Sequence, residues 1–163
     1  MPYNIRRAED TDAEAVSHVF NHFVKTSFAA FPSQEVDESF LGRLCGVAGK
    51  FPMHVVESPE GTVVGFALIR PYHLADTFRR TAEATIFILP EHTRQGLGDR
   101  LLGLLEADAK AHGVDTLLGG ASSHNEPSIA FQKKHGFVEC GRFQRVGRKF
   151  SQDFDLVWLQ KLL

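Results

Sequence analysis

The 163-residue chain has the length of one ordinary domain, residues 1–163, with 43% hydrophobic and 23% charged residues, as in globular proteins. Its formal net charge of −2 excludes the positive excess with which proteins bind nucleic acid. No run approaches the roughly 18 apolar residues of a membrane span, and residues 1–10 lack the apolar core of a signal peptide. We therefore expect a cytoplasmic protein without nucleic-acid or membrane partners.

The chain begins with a predicted strand and helix. Residues 3–8 alternate between apolar and polar side chains and predict a short strand. Thr11 and Glu14 have the spacing of a capping box, which opens a helix. Apolar residues at helical spacing continue this helix until it fades at residues 28–32.

A second helix and a hairpin follow. The helical stretch begins at residues 33–34 and weakens where two glycines interrupt it. Residues 53–58 and 62–70 predict two strands, and the Pro-Glu-Gly turn at residues 59–61 joins them.

The remaining elements alternate between strand and helix. In chain order they are a loop at 71–79, a strand at 81–89, a helix at 98–112, a strand at 114–119, a helix at 125–135, and strands at 137–148 and 154–162. This order predicts an α/β fold whose mixed sheet contains antiparallel hairpins and one β-α-β crossover.

The most informative segment, residues 86–98, runs from a strand through a short loop and a Gly-x-Gly sequence into a helix. The start of a helix presents unpaired N–H groups and the positive end of the helix dipole. Gly96 and Gly98 let a phosphate approach the backbone, and Arg94 adds a positive charge. The segment predicts a pyrophosphate site. The third glycine of a dinucleotide fingerprint and the G-K-[ST] of a Walker loop are both missing.

Two other patterns carry less information. His18 and His22 have the i, i+4 spacing of zinc ligands, but no glutamate follows His18, so we expect no metal site. Cys45 and Cys140 match no redox or metal spacing and predict two buried, reduced thiols.

Residues 93–98 resemble the coenzyme A-binding motif [RQ]-x-x-G-x-[GA] of the GNAT superfamily of N-acetyltransferases, with Thr93 in the Arg/Gln position. The N-x-x-S sequence from Asn125 to Ser128 is similar to the family's element downstream of this motif. Residues 81–83, which read Thr-Ala-Glu, and Trp158 resemble the phosphinothricin acetyltransferase-like subgroup. The likeness extends over nearly the whole chain.

This resemblance implies a GNAT-type mixed, mostly antiparallel central sheet flanked by helices. It also implies an acetyl-CoA-dependent N-acetyltransferase that acts on the primary amine of a small, amino-acid-like molecule, needs no metal, and forms a homodimer. A non-catalytic acyl-CoA sensor or scaffold with the same fold is the alternative. The residues implied to bind acetyl-CoA are Ile86, Phe87, Ile88, Arg94, Gln95, Gly96, Leu97, Gly98, Asp99, Asn125 and Ser128.

Glu83 is the candidate catalytic residue. Amine acetylation requires a base, and Glu83 is the lone charged residue in the run 81–90 of a predicted central strand. The resemblance places a base at the same position. The alternative is an exposed carboxylate at the end of a strand.

Substrate binding is assigned to Phe31, Arg80 and Arg148. Arg79, Arg80 and Arg148 stand where the subgroup has other residues, and we hypothesise that one of these arginines pairs with an anion on the acceptor; the alternative is a solvated basic loop. Phe31 follows the first helix and lies either in the core or in the acceptor pocket.

Overall fold

The computed structural model describes residues 2–163. Its strands are β1 (Asn4–Arg7), β2 (Met53–Glu57), β3 (Val63–Pro71), β4 (Thr81–Ile88), β5 (Thr116–Ser122), β6 (Val138–Lys149) and β7 (Gln152–Leu162). Its helices are α1 (Ala13–Thr26), α2 (Ser39–Ala48), α3 (Leu97–Ala111) and α4 (Glu126–Lys134), with 3₁₀ turns at Asp10–Asp12, Asp76–Phe78 and Pro90–His92. None of the helices in residues 2–163 is long and apolar enough to cross a bilayer.

The seven strands form one sheet in the order β1-β2-β3-β4-β5-β7-β6. Every neighbouring pair is antiparallel except β4 and β5, which run parallel because α3 crosses between them. The predicted order of elements and the mixed, mostly antiparallel sheet flanked by helices are therefore confirmed.

Helices cover both faces of this sheet, and alternation along the strands assigns each side chain to a face. Phe66 of β3 and Phe87 of β4 are paired, and they pack against Phe40 of α2 and Phe20 of α1. We call this side the α1 face. On the opposite side, the α3 face, His54 of β2 contacts Asp108 of α3 at 2.6 Å.

The capping box lies two residues earlier than the sequence predicted. Glu9 and Asp12 form it, not Thr11 and Glu14, and the Glu9 N–H donates to Asp12 Oδ2 at 2.8 Å. The Arg6 guanidinium donates to both Asp12 oxygens at 2.8 Å and holds the pKa of that carboxyl below its usual value. This ion pair, between residues six apart in the chain, holds the Asp12 carboxylate in position for the capping box.

The second helix begins at Ser39, so the predicted start at residues 33–34 is wrong. The Asn21 side chain of α1 donates to the Val36 carbonyl and accepts from the Val36 N–H, both at 2.8 Å. The Asp37 carbonyl accepts from Ser17 of α1 at 2.8 Å. Since α1 satisfies these backbone groups, the segment is held in an irregular conformation and has no need of helical hydrogen bonds.

The predicted burial of the two thiols is also wrong. Cys45 lies on the outer side of α2 and Cys140 on β6, and both are free and exposed. The spacing of Cys45 gave no information on which side of its short helix meets the core.

A buried lysine ties the end of α1 to the β6–β7 hairpin. Lys149 is 5% exposed, and its ammonium donates to the carbonyl oxygens of Ser27 and Ala30, both at 2.6 Å, and of Phe23 at 3.4 Å. Burial lowers the pKa of Lys149, while the three carbonyl oxygens favour its charged form. This contact fixes the segment 27–31 beside the ends of β6 and β7.

We expect Lys149→Met to lower the free energy of unfolding by about 3 kcal/mol, because two short charge-assisted hydrogen bonds are lost and buried carbonyl groups remain unpaired. Urea denaturation of the two proteins measures this difference. Lys134→Met, on the exposed side of α4, is the matched control and should change stability by less than about 0.5 kcal/mol. Equal losses in both variants would contradict a structural role for the buried ammonium.

Candidate active site

The centre of the sheet opens into a cleft between its two parallel strands. β4 and β5 pair over three residues only, with Thr81 opposite Thr116 and Glu83 opposite Leu118. Beyond Glu83, β4 stays paired with β3, while β5 stays paired with β7. The two strands separate, and each leaves one edge open inside the sheet.

The alternation of antiparallel hydrogen bonds shows which main-chain groups line the cleft. The Leu89 N–H donates to the Val64 carbonyl at 2.9 Å, so the odd-numbered residues of β4 bond to β3. The N–H and C=O groups of Ala84, Ile86 and Ile88 therefore point toward β5, where the ladder has ended. An extended ligand with amide groups has hydrogen-bonding partners along this edge.

The same rule separates Phe87 from its neighbours. Its main-chain groups pair with Phe66, and its ring lies 5.3 Å from the rings of Phe20 and Phe66. On the other side of the cleft, Gly120 of β5 presents main-chain groups toward β4, whereas the Ser122 carbonyl accepts from the Asn125 N–H at 2.9 Å. The predicted residues Ile86 and Ile88 thus line the cleft, whereas Phe87 contributes to the core.

The loop that follows β4 presents a cluster of main-chain donors. Arg94 and Gly96 have left-handed backbones, with φ of 60° and 72°, and α3 begins at Leu97. The first helical hydrogen bond runs from the Arg100 N–H to the Gly96 carbonyl, so the N–H groups of residues 97–99 have no acceptor within the helix. The exposed Arg94 takes part in no ion pair among residues 2–163. These features form an anion site suited to a diphosphate.

The two glycines of this loop serve different purposes. Gly96 adopts the left-handed backbone that non-glycine residues avoid. A Cβ on Gly98 would lie 2.9 Å from the ring of Phe131 in α4, so this glycine permits α4 to pack against the start of α3. The sequence predicted that both glycines let phosphate approach, and it missed this packing.

Helix α4 lies on the α3 face, over β5. Asn125 caps it by accepting from the Ser128 N–H at 3.4 Å, and the Gln132 amide donates to the Ser128 hydroxyl at 3.4 Å. Gln132 Oε1 is buried without a partner in residues 2–163 and lies over Gly119, the first β5 residue beyond the paired segment. An orphaned acceptor at this position fits a ligand that donates an N–H.

Glu83 lies where the strands separate, on the α1 face. Its side chain is 18% exposed, and Arg70 of β3 donates to its Oε2 atom from Nε at 3.0 Å and from Nη2 at 2.6 Å. Residues 85, 118 and 120 share this face beside it by strand alternation. The Trp158 ring of β7 fits over Gly120, where a Cβ would come within 3.3 Å of it. A carboxylate, an arginine and a tryptophan thus surround one side of the cleft.

An aromatic cluster borders the open end of this face. Phe31 stacks on Phe154 with ring centroids 5.9 Å apart, and Phe28 contacts Phe154, Phe150 and His124. Phe31 is 50% exposed. Its ring therefore belongs to a surface cluster near the cleft.

The structure does not bring Arg80 or Arg148 to Glu83. Arg80 pairs with Asp115 at the closed end of β4 and β5, and Arg148 pairs with Asp153 at the tip of the β6–β7 hairpin. These arginines lower the pKa of Asp115 and Asp153. Both guanidinium groups are already matched with carboxylates.

Arg70 and the orphaned Gln132 oxygen are the site features that sequence reasoning missed. The register that places Arg70 directly opposite Glu83 is a property of the folded hairpin. A lone arginine near the end of a strand gives no signal of its own.

The chain is similar to known acetyltransferases. The profile of the acetyltransferase (GNAT) family matches residues 16–137. The chain is 32% identical over 162 residues to the L-amino acid N-acyltransferase of Escherichia coli, covering 96% of this chain and 92% of the relative. It is 27% identical over 161 residues to the phosphinothricin N-acetyltransferase of Streptomyces viridochromogenes, covering 98% and 87%.

A solved structure shows the same fold. The structure of a putative acetyltransferase from Salmonella typhimurium with its cofactor acetyl-CoA superposes with a TM-score of 0.88 at 30% identity. The superposition covers 100% of this chain and 95% of the other.

We expect Gly98→Ala to destabilise the protein by about 1–3 kcal/mol and to weaken acetyl-CoA binding, because the added methyl group displaces Phe131 and α4. In a Phe131→Leu background the same substitution should have little effect on either property. Urea denaturation of the four proteins gives the coupling energy between residues 98 and 131 for stability, and titration calorimetry gives it for acetyl-CoA binding. Restored stability with lost acetyl-CoA binding in the double variant would show instead that phosphate approach requires Gly98.

Proposed function

Because the chain belongs to the acetyltransferase (GNAT) family, as its sequence predicted, we propose that it transfers the acetyl group of acetyl-CoA to the primary amine of a small, amino-acid-like molecule. The observation that carries this proposal is the position of Glu83 at the point where β4 and β5 separate. The names of the relatives, an amino acid N-acyltransferase and a phosphinothricin N-acetyltransferase, support the same class of acceptor.

Acetyl-CoA fits the cleft and the donor loop together. The N–H groups of residues 94–99 would hold its diphosphate, and the open edge of β4 at Ile86 and Ile88 would bind the amides of its pantetheine arm. Asn125 and Ser128 border the same cleft from α4. The unpaired Gln132 Oε1 supports this fit, because residues 2–163 supply no donor to it.

Glu83 would act as the general base. An alkyl amine is protonated near neutral pH and attacks a carbonyl carbon only after it loses that proton. Glu83 accepts this proton, directly or through water, before the neutral nitrogen attacks. As the nitrogen–carbon bond forms and the thioester carbon–sulfur bond breaks, the nitrogen loses a second proton, which passes to the departing thiolate or to water. The thiolate of coenzyme A is a stable leaving group. The ring of Phe131 packs beneath Gly98.

The acceptor would lie on the α1 face, between Glu83 and the segment 27–31. Phe31 borders this space with the aromatic cluster, and Lys149 fixes the segment that carries it. Arg80 and Arg148 stay candidates for a longer acceptor or for a contact made in an assembly. A sensor without turnover requires no carboxylate at the cleft, so Glu83 favours catalysis.

We further propose that residues 1–163 form one acetyltransferase domain that works in the cytoplasm as a homodimer. Two exposed, unpaired thiols suit a reducing compartment. The edge strand β6 exposes Val138, Phe143 and Val146 at 68%, 56% and 57%. A long exposed edge with apolar side chains calls for a cover, and a second copy would provide it.

We expect Glu83→Gln to lower kcat/KM by about 10²–10³-fold and to leave the Kd for acetyl-CoA unchanged, because the amide cannot accept the proton of the amine. The assay measures release of coenzyme A with L-amino acids, L-methionine sulfoximine, phosphinothricin, polyamines and a peptide beginning with alanine.

Glu60→Gln, in the exposed turn between β2 and β3 and at the other end of β3 from Arg70 and Glu83, is the matched control and should retain full activity. Tight acetyl-CoA binding by the wild type with no turnover on any acceptor would favour the sensor. Full activity of Glu83→Gln would remove Glu83 from the mechanism.

We expect the wild type to sediment as a dimer, and Val146→Lys to sediment as a monomer, because a lysine on β6 places a charge in the interface. Val47→Lys is the matched control, since Val47 on α2 is 50% exposed and lies away from β6. Analytical ultracentrifugation measures both. A monomeric wild type at micromolar concentration would contradict the proposed assembly.

A further inference from the structure

We propose that Arg70 is a residue of the acceptor site that binds the carboxylate of an α-amino acid, and that this exchange of partners frees Glu83 for the amine. The inference rests on the proposed function and narrows it. The acceptor is then an α-amino acid with a free carboxylate. Arg70, the ion-pair partner of Glu83, is the residue that selects acceptors carrying this carboxylate.

The sheet register brings the two side chains together. Arg70 lies directly opposite Glu83 in the β3–β4 ladder, and directly paired residues project from the same face of a sheet. That face is the α1 face, which carries the rest of the candidate acceptor site. Arg70 therefore belongs to the strand next to that of Glu83, on the side remote from β5, and its guanidinium reaches across to the carboxylate.

The hydrogen-bonding groups of Arg70 and Glu83 are only partly used within the pair. Both hydrogen bonds from Arg70 end on Oε2 of Glu83, and no donor from residues 2–163 reaches Oε1. The guanidinium has five N–H donors and uses two of them here. The Arg70 side chain is 47% exposed and that of Glu83 18% exposed, so a ligand has access to both.

The exposed pair is complementary to a zwitterion. In an α-amino acid one carbon separates the ammonium from the carboxylate, and here an acceptor and a planar two-point donor lie side by side. The ligand's carboxylate can receive the paired N–H groups of Arg70, while its ammonium donates to Glu83. Two ion pairs replace one, and the lone pairs of Glu83 Oε2 become free to receive the proton of the amine.

An amine without a carboxylate does not produce this exchange. Arg70 then stays on Glu83 and competes with the amine for its oxygen atoms. Such an acceptor meets a base whose lone pairs are partly engaged, so it should react slowly even when it binds. The arrangement thus couples recognition of the carboxylate to the freeing of the base.

Two of the arginines that the sequence suggested for binding the acceptor's anion are already paired with carboxylates. Arg80 is matched by Asp115 and Arg148 by Asp153, at opposite ends of the structure. Arg70 is the guanidinium that shares both face and register with Glu83. Since it also acts through Glu83, it is a positioning residue as well as a binding residue.

The test compares each amino acid with the same molecule lacking its carboxylate: L-methionine with 3-(methylthio)propylamine, and L-phenylalanine with 2-phenylethylamine. The proteins are the wild type, Arg70→Gln, Arg70→Lys, and Arg43→Gln on the exposed side of α2 as the matched control. Release of coenzyme A gives kcat and KM, and calorimetry in the presence of coenzyme A gives acceptor affinity without turnover.

We expect the wild type to prefer the amino acids. Arg70→Gln should raise the KM for them about 30-fold, the loss typical of a charge-assisted contact, and leave the KM for the two amines within about twofold. Arg70→Lys should recover part of the preference because it retains the charge.

Three results would overturn the inference: equal affinity of the wild type for an amino acid and its amine, equal losses on both acceptors in Arg70→Gln, or full retention of selectivity by Arg70→Gln. The calorimetric preference is measured even if no acceptor turns over. An absence of turnover with intact selectivity would therefore contradict the proposed function and support the assignment of Arg70.

Discussion

The structure depends on the loss of hydrogen bonding between its two central parallel strands. After three residue pairs β4 and β5 separate, and main-chain groups that a continuous sheet would pair face each other across a gap. Unpaired backbone groups in a protein interior are costly, so this gap is maintained only by strong pairing elsewhere. β3 and β7 supply that pairing, because they hold the outer edges of β4 and β5 along their whole lengths. The cleft is therefore a defect in the sheet that leaves main-chain groups of the two strands free.

The two faces of the cleft divide the chemistry. On the α3 face, α3 and α4 pack closely because Gly98 leaves room for the Phe131 ring. The loop between β4 and α3 and the unpaired Gln132 oxygen lie on this side. On the α1 face, Glu83 and Arg70 form the polar part of the site, and the aromatic cluster forms its apolar border. The cofactor and the acceptor would thus approach from different directions and meet where the strands separate.

Much of this arrangement follows from local sequence patterns. The β-strand, loop, Gly-x-Gly and helix of residues 86–98 predicted the free N–H groups at the start of α3, because helix starts and left-handed glycines have local signatures. The order of strands and helices predicted the mixed sheet, and a lone glutamate in a central strand indicated Glu83. Errors occurred where a side chain outside the local pattern decided the outcome: Arg6, six residues before Asp12, holds the carboxylate of the capping box, and Asn21 of α1 holds Val36 outside the second helix.

The sequence by itself determined the succession of elements, the position of the Gly-x-Gly loop before α3 and the candidate base, since each depends on residues close together in the chain. Only the tertiary structure decided which of these groups meet. It set the register that places Arg70 on Glu83, turned the main chain of Ile86 and Ile88 rather than Phe87 toward the cleft, and paired Arg80 and Arg148 with carboxylates away from it. The physical reason is that strand register and side-chain pairing depend on the packing of the whole sheet, which no local pattern records.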